Sequence, residues 1–201
     1  MRHPAGKIVM ASGNAGKLRE IARILAAFDI TVVPQSEFGV SDIEETGSSF
    51  VENALIKARH AARVTGLPAI ADDSGLVVDA LDGRPGIYSA RYSGPEADAE
   101  KNIDRLLSEL DGIPNAQRGA EFHCVACYVT PDKSEPIITE GVWRGSILHE
   151  RQGDGGFGYD PVFFDPDLGC SSSQMSAEQK NSRSHRGQAL QELARKLREL
   201  E

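Results

Sequence analysis

The segment Pro68-Ala69-Ile70-Ala71-Asp72-Asp73-Ser74-Gly75 joins a short apolar run to two adjacent acids and a Ser-Gly pair. The apolar run predicts a buried strand with the acids at its tip, and residues 77–81 resume an extended pattern. Two carboxylates there repel each other and lose hydration unless a cation lies beside them. Gly75 is expected to allow a sharp turn that exposes the tip. The segment predicts a charged site or, alternatively, an acidic β-turn on a solvated edge.

Length, composition and charge limit the class of protein. The chain has 201 residues, is 40% hydrophobic and has a net charge of −8. It can bury a full core as one large domain, or as two lobes that share a sheet. We expect neither a membrane span nor a secretory signal, because no run of 18 apolar residues and no basic-then-apolar leader occurs. The charge argues against coating nucleic acid, but a local basic cluster or a metal would still allow a small phosphate ligand.

The three cysteines are Cys124, Cys127 and Cys170. The first two form a C-x-x-C pattern, but the surrounding residues 122–129 are typical of a strand. Positions i and i+3 of a strand face opposite sides of the sheet, so these thiols are not expected to share a metal or a disulfide. Buried free thiols in a reducing, cytoplasmic compartment are the prediction.

The N-terminal part predicts a strand at residues 7–11, then the turn Ser12-Gly13-Asn14-Ala15-Gly16-Lys17. Asn14 is a good N-cap for a helix to about Phe28. Free backbone N–H groups and the helix dipole make such a turn an anion site. Lys17 opposes the dipole, so a compensating negative group is expected. The spacing is not that of a Walker loop; the alternative is an ordinary capped helix with a surface lysine.

The next segment predicts a second strand at residues 29–33 and an acidic loop at residues 37–47. Ser49 and Glu52 form a capping box that opens a helix to about Val64. A polar stripe on this helix contains Asn53, Lys57 and His60, and solvent exposure is its default interpretation. The helix links the acidic loop to the Asp72-Asp73 strand, so acids from both could meet around one metal.

The second half predicts a helix from Pro95 to Leu110, then a long antiparallel hairpin of residues 121–130 and 135–144. Trp143 is expected to serve packing rather than chemistry. Residues 153–158 match G-x-G-x-x-G, but the following residues 159–164 do not open a helix, as a dinucleotide fingerprint requires. A flexible loop that presents Phe157 to a flat ligand is predicted, with a plain glycine turn as the alternative.

Four basic side chains lie near the start of the last helix, for which Ser184 is a plausible N-cap. They are Lys180, Arg183, His185 and Arg186. Positive charge at a helix N-terminus is unfavourable, and a bound polyphosphate would reverse this effect. Anion binding is therefore predicted, with ordinary surface charge as the alternative.

Together these features describe a nucleoside polyphosphate enzyme. Two cationic helix starts, a glycine-rich loop with an aromatic residue, and an acid cluster suit a substrate whose phosphates complete the shell of Mg²⁺. A zinc site is not expected, because the sequence has no paired His/Cys constellation.

Four blocks resemble the inosine triphosphate pyrophosphatase family, also called the Ham1/RdgB-like non-standard purine NTP pyrophosphatases. The blocks occur in the family's order, and the match runs from about Ile8 to Leu190. They are residues 12–17, residues 71–76, residues 155–161 and residues 184–187.

The resemblance implies one domain over residues 1–201, with a mixed α/β fold. Its long, bent central sheet would have helices on both sides and a substrate cleft between two lobes. A homodimer that binds neither nucleic acid nor membranes is also implied. Its Mg²⁺-dependent reaction would hydrolyse ITP, dITP and XTP to the monophosphate and pyrophosphate, cleansing the nucleotide pool.

The resemblance also assigns site residues. Asp73 would be the proton acceptor and a metal ligand, together with Glu44 or its neighbour Glu45. The substrate-binding residues implied are Ser12, Gly13, Asn14, Ala15, Gly16, Lys17, Lys57, Ser74, Phe157, Gly158, Tyr159, Asp160, Lys180, His185 and Arg186.

A hypothetical mechanism follows from these assignments. Asp73, alone or through the metal, would activate a water that attacks the α-phosphorus, while Lys17 and Lys57 stabilise the departing pyrophosphate. Donors from Arg186, His185 or the backbone would pair with the 6-oxo group of hypoxanthine or xanthine and reject adenine.

Three rival interpretations remain open. A Maf-like pyrophosphatase would share the glycine-rich opening, but the His185-Arg186 pair favours the purine enzyme. A nucleotide sensor without turnover would gain nothing from acids beside a triphosphate. An RNA-binding domain is disfavoured by the net charge and by an aromatic content of only 6%.

Overall fold

The computed structural model describes residues 7–96, 98–132 and 134–199. Its strands are β1 (Ile8–Met10), β2 (Val32–Pro34), β3 (Ala69–Val78), β4 (Gly119–Val129), β5 (Ile137–Ile147), β6 (Phe163–Asp165) and β7 (Cys170–Ser171). The α-helices are α1 (Ala15–Ala26), α2 (Phe50–Thr65), α3 (Ala99–Glu109), α4 (Ala177–Arg183) and α5 (His185–Arg198).

The strands form a seven-stranded sheet in the order β2-β1-β3-β4-β5-β6-β7. Strand β1 pairs in parallel with both β2 and β3, whereas β6 pairs antiparallel with β5 and β7. The neighbours β4 and β5 are joined by residues 130–136, too short for the dozen or more residues of a parallel crossover. The sheet is therefore mixed, and the mixed α/β prediction is confirmed.

The described residues divide into two compact units. Unit 1 lies within residues 7–73, 124–141 and 185–199, and unit 2 lies within residues 74–123 and 142–184. The predicted cleft between lobes stays a prediction.

Unit 1 has helices on both faces of its strands. Helices α1 and α5 cover one face, with a core that includes Met10, Ile70, Ala126, Leu25 and Leu190. The other face packs against α2, whose Ala54, Ala58, Ala61 and Ala62 meet Ala69 and Ala71 of β3. Small side chains on both elements let the helix approach the sheet closely.

A glycine allows α5 to begin directly against β5. A Cβ atom added to Gly141 would overlap with the carbonyl oxygen of His185, the first residue of α5. Only a residue without a side chain permits this backbone approach.

Unit 2 is organised around an aromatic cluster. The ring of Phe163 lies 4.5 Å from that of Phe122 and 4.9 Å from that of Trp143, centroid to centroid. The Trp143 indole N–H donates to Asp165 at 2.9 Å. Trp143 therefore has the packing role predicted for it, because its apolar body is buried and its polar atom has a partner.

The prediction for the Asp72-Asp73 strand was wrong in its end point. Strand β3 continues without a turn at Gly75 as far as Val78, and residues Asp79–Leu81 form a short 3-10 helix rather than an extended segment. The two acids lie inside the strand, 1% and 5% exposed. Cationic side chains compensate their charge there, so the strand does not need to end in solvent.

Several element boundaries also differ from the predictions. Helix α3 begins at Ala99 rather than Pro95, because Asp98 accepts from the N–H groups of Glu100 and Lys101. Strand β2 begins at Val32 rather than Asp29, whose φ of 61° is incompatible with a strand. Helix α4, with a capping box at its start, was not predicted.

The helix caps at Asn14 and Ser49 are confirmed. In the predicted capping box of Ser49 and Glu52, the reciprocal hydrogen bond from the Ser49 N–H to Glu52 is not formed. The Glu52 carboxylate accepts from the N–H and hydroxyl of Ser48 instead of the Ser49 N–H. Helix α1 ends at Ala26, two residues before the predicted end.

The prediction of buried free thiols is confirmed for Cys124 and Cys127, and the reducing compartment stays a prediction. Cys124 and Cys127 are buried free thiols in cores on opposite faces of the sheet, and Cys170 is also free. Burial raises the pKa of Cys127 to about 12, so this thiol is protonated at neutral pH. Among the described helices, none combines the length and apolarity that a membrane span requires.

Candidate active site

The turn that follows β1 places a helix N-terminus in solvent. The Asn14 side chain accepts from the Lys17 N–H at 3.0 Å, and the Ser12 hydroxyl accepts from the Asn14 N–H at 3.2 Å. Gly13, Asn14 and Ala15 are exposed, and Gly16 is half-buried. Since the first N–H groups of a helix lack intrahelical partners, this turn can receive an anion.

The negative group expected near Lys17 is Asp72. The Lys17 ammonium lies 3.3 Å from Asp72 Oδ2, and the Arg186 Nε atom lies 3.2 Å from the same oxygen. Arg186 also donates from Nη1 to Glu20 at 2.6 Å. The protein therefore compensates both cations with its own acids.

Electrostatics keep Asp72 ionised although it is almost fully buried. Burial raises the pKa of its carboxyl, but Lys17 and Arg186 outweigh burial and hold that pKa well below its usual range. The neighbouring acids likewise raise the pKa of Arg186, despite its burial. Removal of Asp72 or of Arg186 would leave the other group as a buried charge without this partner.

Asp73 belongs to a second cluster, which contains Lys57 and Glu45. The Lys57 ammonium donates to Asp73 Oδ1 at 2.8 Å and to Glu45 Oε1 at 2.6 Å. Burial raises the pKa of Asp73, while the positive charge of Lys57 opposes this shift only in part. A carboxylate with a raised pKa is a better proton acceptor than an ordinary surface aspartate.

The polar stripe of α2 is not solvated as its default interpretation required. Asn53 is fully buried, and its side-chain oxygen accepts from the Gly47 N–H at 2.8 Å. The Lys57 side chain is only 13% exposed. This part of the stripe faces the acidic loop, where the Asn53 oxygen and the Lys57 ammonium find partners within the protein.

The Asp160 carboxylate is the main hydrogen-bond acceptor beside the glycine-rich loop in unit 2. Its Oδ2 atom accepts from the Phe157 N–H at 2.8 Å and from the Lys180 ammonium at 2.6 Å. The same ammonium lies 4.7 Å from the centroid of the Phe157 ring, a cation–π arrangement. The predicted flexible loop is thus anchored through backbone and side-chain hydrogen bonds.

Tyr159 has a structural role in this loop. Its side chain is buried in the core of unit 2, and its hydroxyl donates to the Ser89 carbonyl at 2.9 Å. Burial raises the pKa of the Tyr159 hydroxyl. Tyr159 therefore anchors the loop through its side chain.

In the basic segment before α5, three of the four predicted side chains pair with acids of the protein, and anion binding there stays a prediction. Lys180 pairs with Asp160, and Arg186 pairs with Asp72. Arg183 contacts Asp165 at 2.9 Å and a second acid, Asp167, at 2.6 Å. These carboxylates of the protein supply negative charge beside the three cations.

The predicted site residues fall into two sets. Unit 1 contains Ser12, Gly13, Asn14, Ala15, Gly16, Lys17, Glu44, Lys57, Asp73, His185 and Arg186, and unit 2 contains Ser74, Phe157, Gly158, Tyr159, Asp160 and Lys180. The structure joins Lys57 to Asp73 in the first set, and Phe157, Asp160 and Lys180 in the second. Their roles toward a substrate stay predictions.

Two acids outside the predicted set of site residues complete the charged network of unit 1. Asp72 binds Lys17 and Arg186, and Glu20 binds Arg186 from α1. Glu20 lies three residues after Lys17, a spacing that places both on one face of α1. That spacing was the available signal for Glu20.

The residues around Asp73 offer a suitable donor set for Mg²⁺. Within the described ranges, no group of three or more His, Cys, Asp or Glu side chains is arranged to hold a metal. Mg²⁺ needs only one or two carboxylates when substrate phosphates and waters complete its shell. Asp73 and Glu45 provide hard oxygen donors that already converge on one cation, Lys57. Glu44, by contrast, is exposed.

The fold and the clusters of unit 1 define a mixed α/β protein whose strand β3 carries two ion-paired acids, Asp72 and Asp73, and whose helix α1 has an exposed N-terminus. Comparison with known sequences is more specific: the model of the Ham1 family matches residues 8–196. The chain belongs to the Ham1 family, as the resemblance of its motifs predicted.

Similar proteins cover nearly the same length. A protein of Pectobacterium atrosepticum named dITP/XTP pyrophosphatase is 54% identical over 193 residues, which are 96% of this chain and 98% of the relative. One of Thioalkalivibrio sulfidiphilus with the same name is 56% identical over 192 residues, 95% and 98% of the two chains.

Solved structures confirm the fold. A HAM1 protein from Coxiella burnetii superposes with a TM-score of 0.87 at 47% identity, covering 96% of this chain and 98% of that one. The Ham1 protein of Staphylococcus aureus gives a TM-score of 0.86 at 42% identity, with coverages of 98% and 100%.

Proposed function

We propose that this chain is a Mg²⁺-dependent pyrophosphatase of non-standard purine nucleoside triphosphates. It hydrolyses dITP, XTP and ITP to the monophosphate and pyrophosphate, and so removes these nucleotides from the pool used for DNA and RNA synthesis. The cluster of Asp73, Lys57 and Glu45, in which Asp73 is buried, is the observation on which the proposal depends. The activity named for the relatives in Pectobacterium and Thioalkalivibrio supports the substrate class.

In this proposal, Asp73 accepts a proton from the attacking water. The water oxygen forms a bond to the α-phosphorus, and the bond from that phosphorus to the bridging oxygen breaks in line. Burial favours this role, because it raises the pKa of Asp73 toward the working pH. Lys57 orients the carboxylate through its 2.8 Å hydrogen bond.

Positive charge in unit 1 stabilises the departing pyrophosphate. Lys17 and the N-terminus of α1 supply it on one side of β3, and Lys57 supplies it on the other. Mg²⁺, bound through Asp73 and the acidic loop, would neutralise phosphate charge and lower the pKa of a bound water. We assign Glu45 as the second carboxylate, since it shares Lys57 with Asp73.

The loop around Asp160 would recognise the base. The Phe157 ring stacks on any purine, and the Lys180 ammonium fixed beside it donates to the 6-oxo group of hypoxanthine or xanthine. The 6-amino group of adenine cannot accept that hydrogen bond, so adenine would lose it at a cost of about 1–3 kcal/mol. We assign the donor role to Lys180 rather than to Arg186, because the Lys180 ammonium lies 4.7 Å from the centroid of the Phe157 ring.

A homodimer is part of the proposal and rests on the family resemblance, and the proposed cytoplasmic location rests on the free thiols. Light scattering on the purified protein would test the homodimer, with the mass expected at twice the chain's 21.7 kDa.

A substrate panel tests the reaction itself. Purified protein with Mg²⁺ is incubated with dITP, XTP, ITP, GTP, ATP, dUTP and dTTP, and both pyrophosphate and orthophosphate are quantified. We expect pyrophosphate from the first three substrates, and loss of the activity in EDTA with recovery on added Mg²⁺. Orthophosphate as the main product would show cleavage at the γ-phosphate and would refute the assignment.

A further inference from the structure

Three consecutive serines close the base of the glycine-rich loop in unit 2. The Ser171 and Ser173 hydroxyls both donate to the Gln152 carbonyl, at 2.6 and 2.7 Å, where the loop begins. The Ser172 hydroxyl donates to Asp160 Oδ1 at 2.9 Å, where the loop ends. We call residues 171–173 the serine block.

Backbone hydrogen bonds reinforce this closure. The Gln152 N–H donates to the Pro161 carbonyl at 2.8 Å, and the Ser173 N–H donates to the Asp160 carbonyl at 3.2 Å. The Ser171 N–H donates to the Gln174 side chain at 2.9 Å, which holds the block in its own capped turn. The two ends of the loop are therefore fixed by one short segment.

The Ser172 hydroxyl is hydrogen-bonded to the Asp160 carboxylate, which in turn holds the backbone of Phe157. Asp160 is 3% exposed and uses Oδ2 for the Phe157 N–H and Lys180, while Oδ1 accepts from Ser172. Three donors around one buried carboxylate determine its plane. Without Ser172, Oδ1 is a buried acceptor that has lost this donor, and the carboxylate can rotate or admit water.

We infer that Ser172 is a positioning residue for base recognition. Through Asp160, it fixes the Phe157 backbone and the Lys180 ammonium in the arrangement that receives a 6-oxopurine. The inference rests on the proposed function where it names the substrate. The claim that Ser172 orders the loop does not depend on that function. Ser172 lies outside the four motifs that identified the family, and it is 1% exposed.

The kinetic test compares Ser172→Ala with wild type on dITP and XTP. Loss of one hydrogen bond to a charged acceptor is expected to raise KM roughly three- to tenfold, with kcat changed by less than about twofold. Ser172→Thr, which keeps the hydroxyl, should restore KM. Ser182→Ala is the control, since that exposed hydroxyl donates only within α4, to the Gln179 carbonyl.

Amide hydrogen exchange of the substrate-free protein provides a readout that is independent of activity. In Ser172→Ala we expect faster exchange across residues 153–159, the Phe157 amide included, with unchanged exchange in β4 and β5. Should Ser172→Ala not fold, Ser172→Cys, which keeps the size but donates weakly, is expected to show the same increases in exchange and KM.

The outcomes separate the inference from the proposed function. Wild-type KM and loop exchange in folded Ser172→Ala would overturn the inference, and so would a fall in kcat at unchanged KM. A wild-type protein inactive on dITP and XTP would overturn the proposed function, while the exchange data would still decide whether Ser172 orders the loop.

Discussion

Asp72 and Asp73 are adjacent in β3, yet they bind cations on opposite faces of the sheet. Asp72 meets Lys17 and Arg186 from α1 and α5, whereas Asp73 meets Lys57 from α2. Side chains of successive strand residues point to opposite faces, so the two acids occupy separate clusters. Their substitution is therefore expected to have different consequences.

Replacement of Asp73 should impair turnover far more than stability. Asp73→Asn keeps the size of the side chain but removes the proton acceptor, and we expect kcat to fall on the order of 10²-fold or more. Initial rates of pyrophosphate release from dITP measure the effect. The Lys57 ammonium keeps Glu45 as a partner, so the fold should survive. Near-normal kcat in this variant would remove Asp73 from the mechanism.

Replacement of Asp72 should instead destabilise the protein. Asp72→Asn removes one negative charge from beside the buried guanidinium of Arg186 and the Lys17 ammonium. We expect a loss of about 3–5 kcal/mol in the free energy of unfolding. Urea denaturation monitored by circular dichroism measures it. Glu20→Gln, at the more exposed end of the same network, is the matched control and should cost clearly less. Equal losses in the two variants would contradict this account.

The stability contributed by Asp165 should depend on pH. Burial raises the pKa of Asp165, but hydrogen bonds from Trp143, Arg183 and two backbone N–H groups lower it overall. A carboxyl whose pKa is lower in the folded state stabilises the protein fully at pH values above its pKa in the unfolded state, near 3.9. This stabilisation is lost as the pH falls through its pKa in the folded state. The difference in unfolding free energy between wild type and Asp165→Asn should therefore be constant from about pH 7 to 5 and shrink below about pH 4.

Trp143 makes this measurement direct, because it is the only tryptophan and donates to Asp165. Its fluorescence follows urea unfolding at each pH in both proteins. A difference between wild type and variant that grows on acidification would have the wrong sign for a lowered pKa.

Glycine at position 156 should be required for substrate binding. Gly156 has a φ of 76°, and an added Cβ atom would overlap with Asp160 Oδ2, the acceptor of the Phe157 N–H. Gly156→Ala is expected to displace the carboxylate and raise KM for dITP by roughly tenfold or more, since it disrupts hydrogen bonds to a charged group. Steady-state kinetics provide the measurement.

Gly169→Ala is the matched control. Gly169 has a similar φ of 66°, but an added Cβ atom would meet nothing within 4 Å. This variant should lose about 1–2 kcal/mol of stability, because alanine disfavours a positive φ, and its KM should not change. If both variants changed KM equally, backbone strain rather than the displaced carboxylate would be responsible.

Local signals predicted the parts of the fold that depend on near neighbours in sequence. The caps at Asn14 and Ser49 were predicted correctly because each side chain bonds a backbone N–H three residues on. The start of α3 was missed because two signals competed, and the carboxylate of Asp98 outweighed the proline at position 95.

The sequence predicted charged residues for the candidate site, but it did not predict which of them form ion pairs. It predicted a negative group beside Lys17 and a cation beside the Asp72-Asp73 pair, but it identified neither partner. The actual partners of the cations are distant in sequence, since Arg186 meets Asp72 across 114 positions. No spacing rule reaches that far.

The sequence alone determined the family, the mixed α/β class and the capped helix starts, because motifs and capping depend on residues within a few positions of one another. Tertiary structure decided that β3 continues through its two acids, that each acid has its own cations, and that a serine block holds the loop of Phe157. Burial and ion pairing between remote segments set those features, and they exist only once the strands and helices have packed.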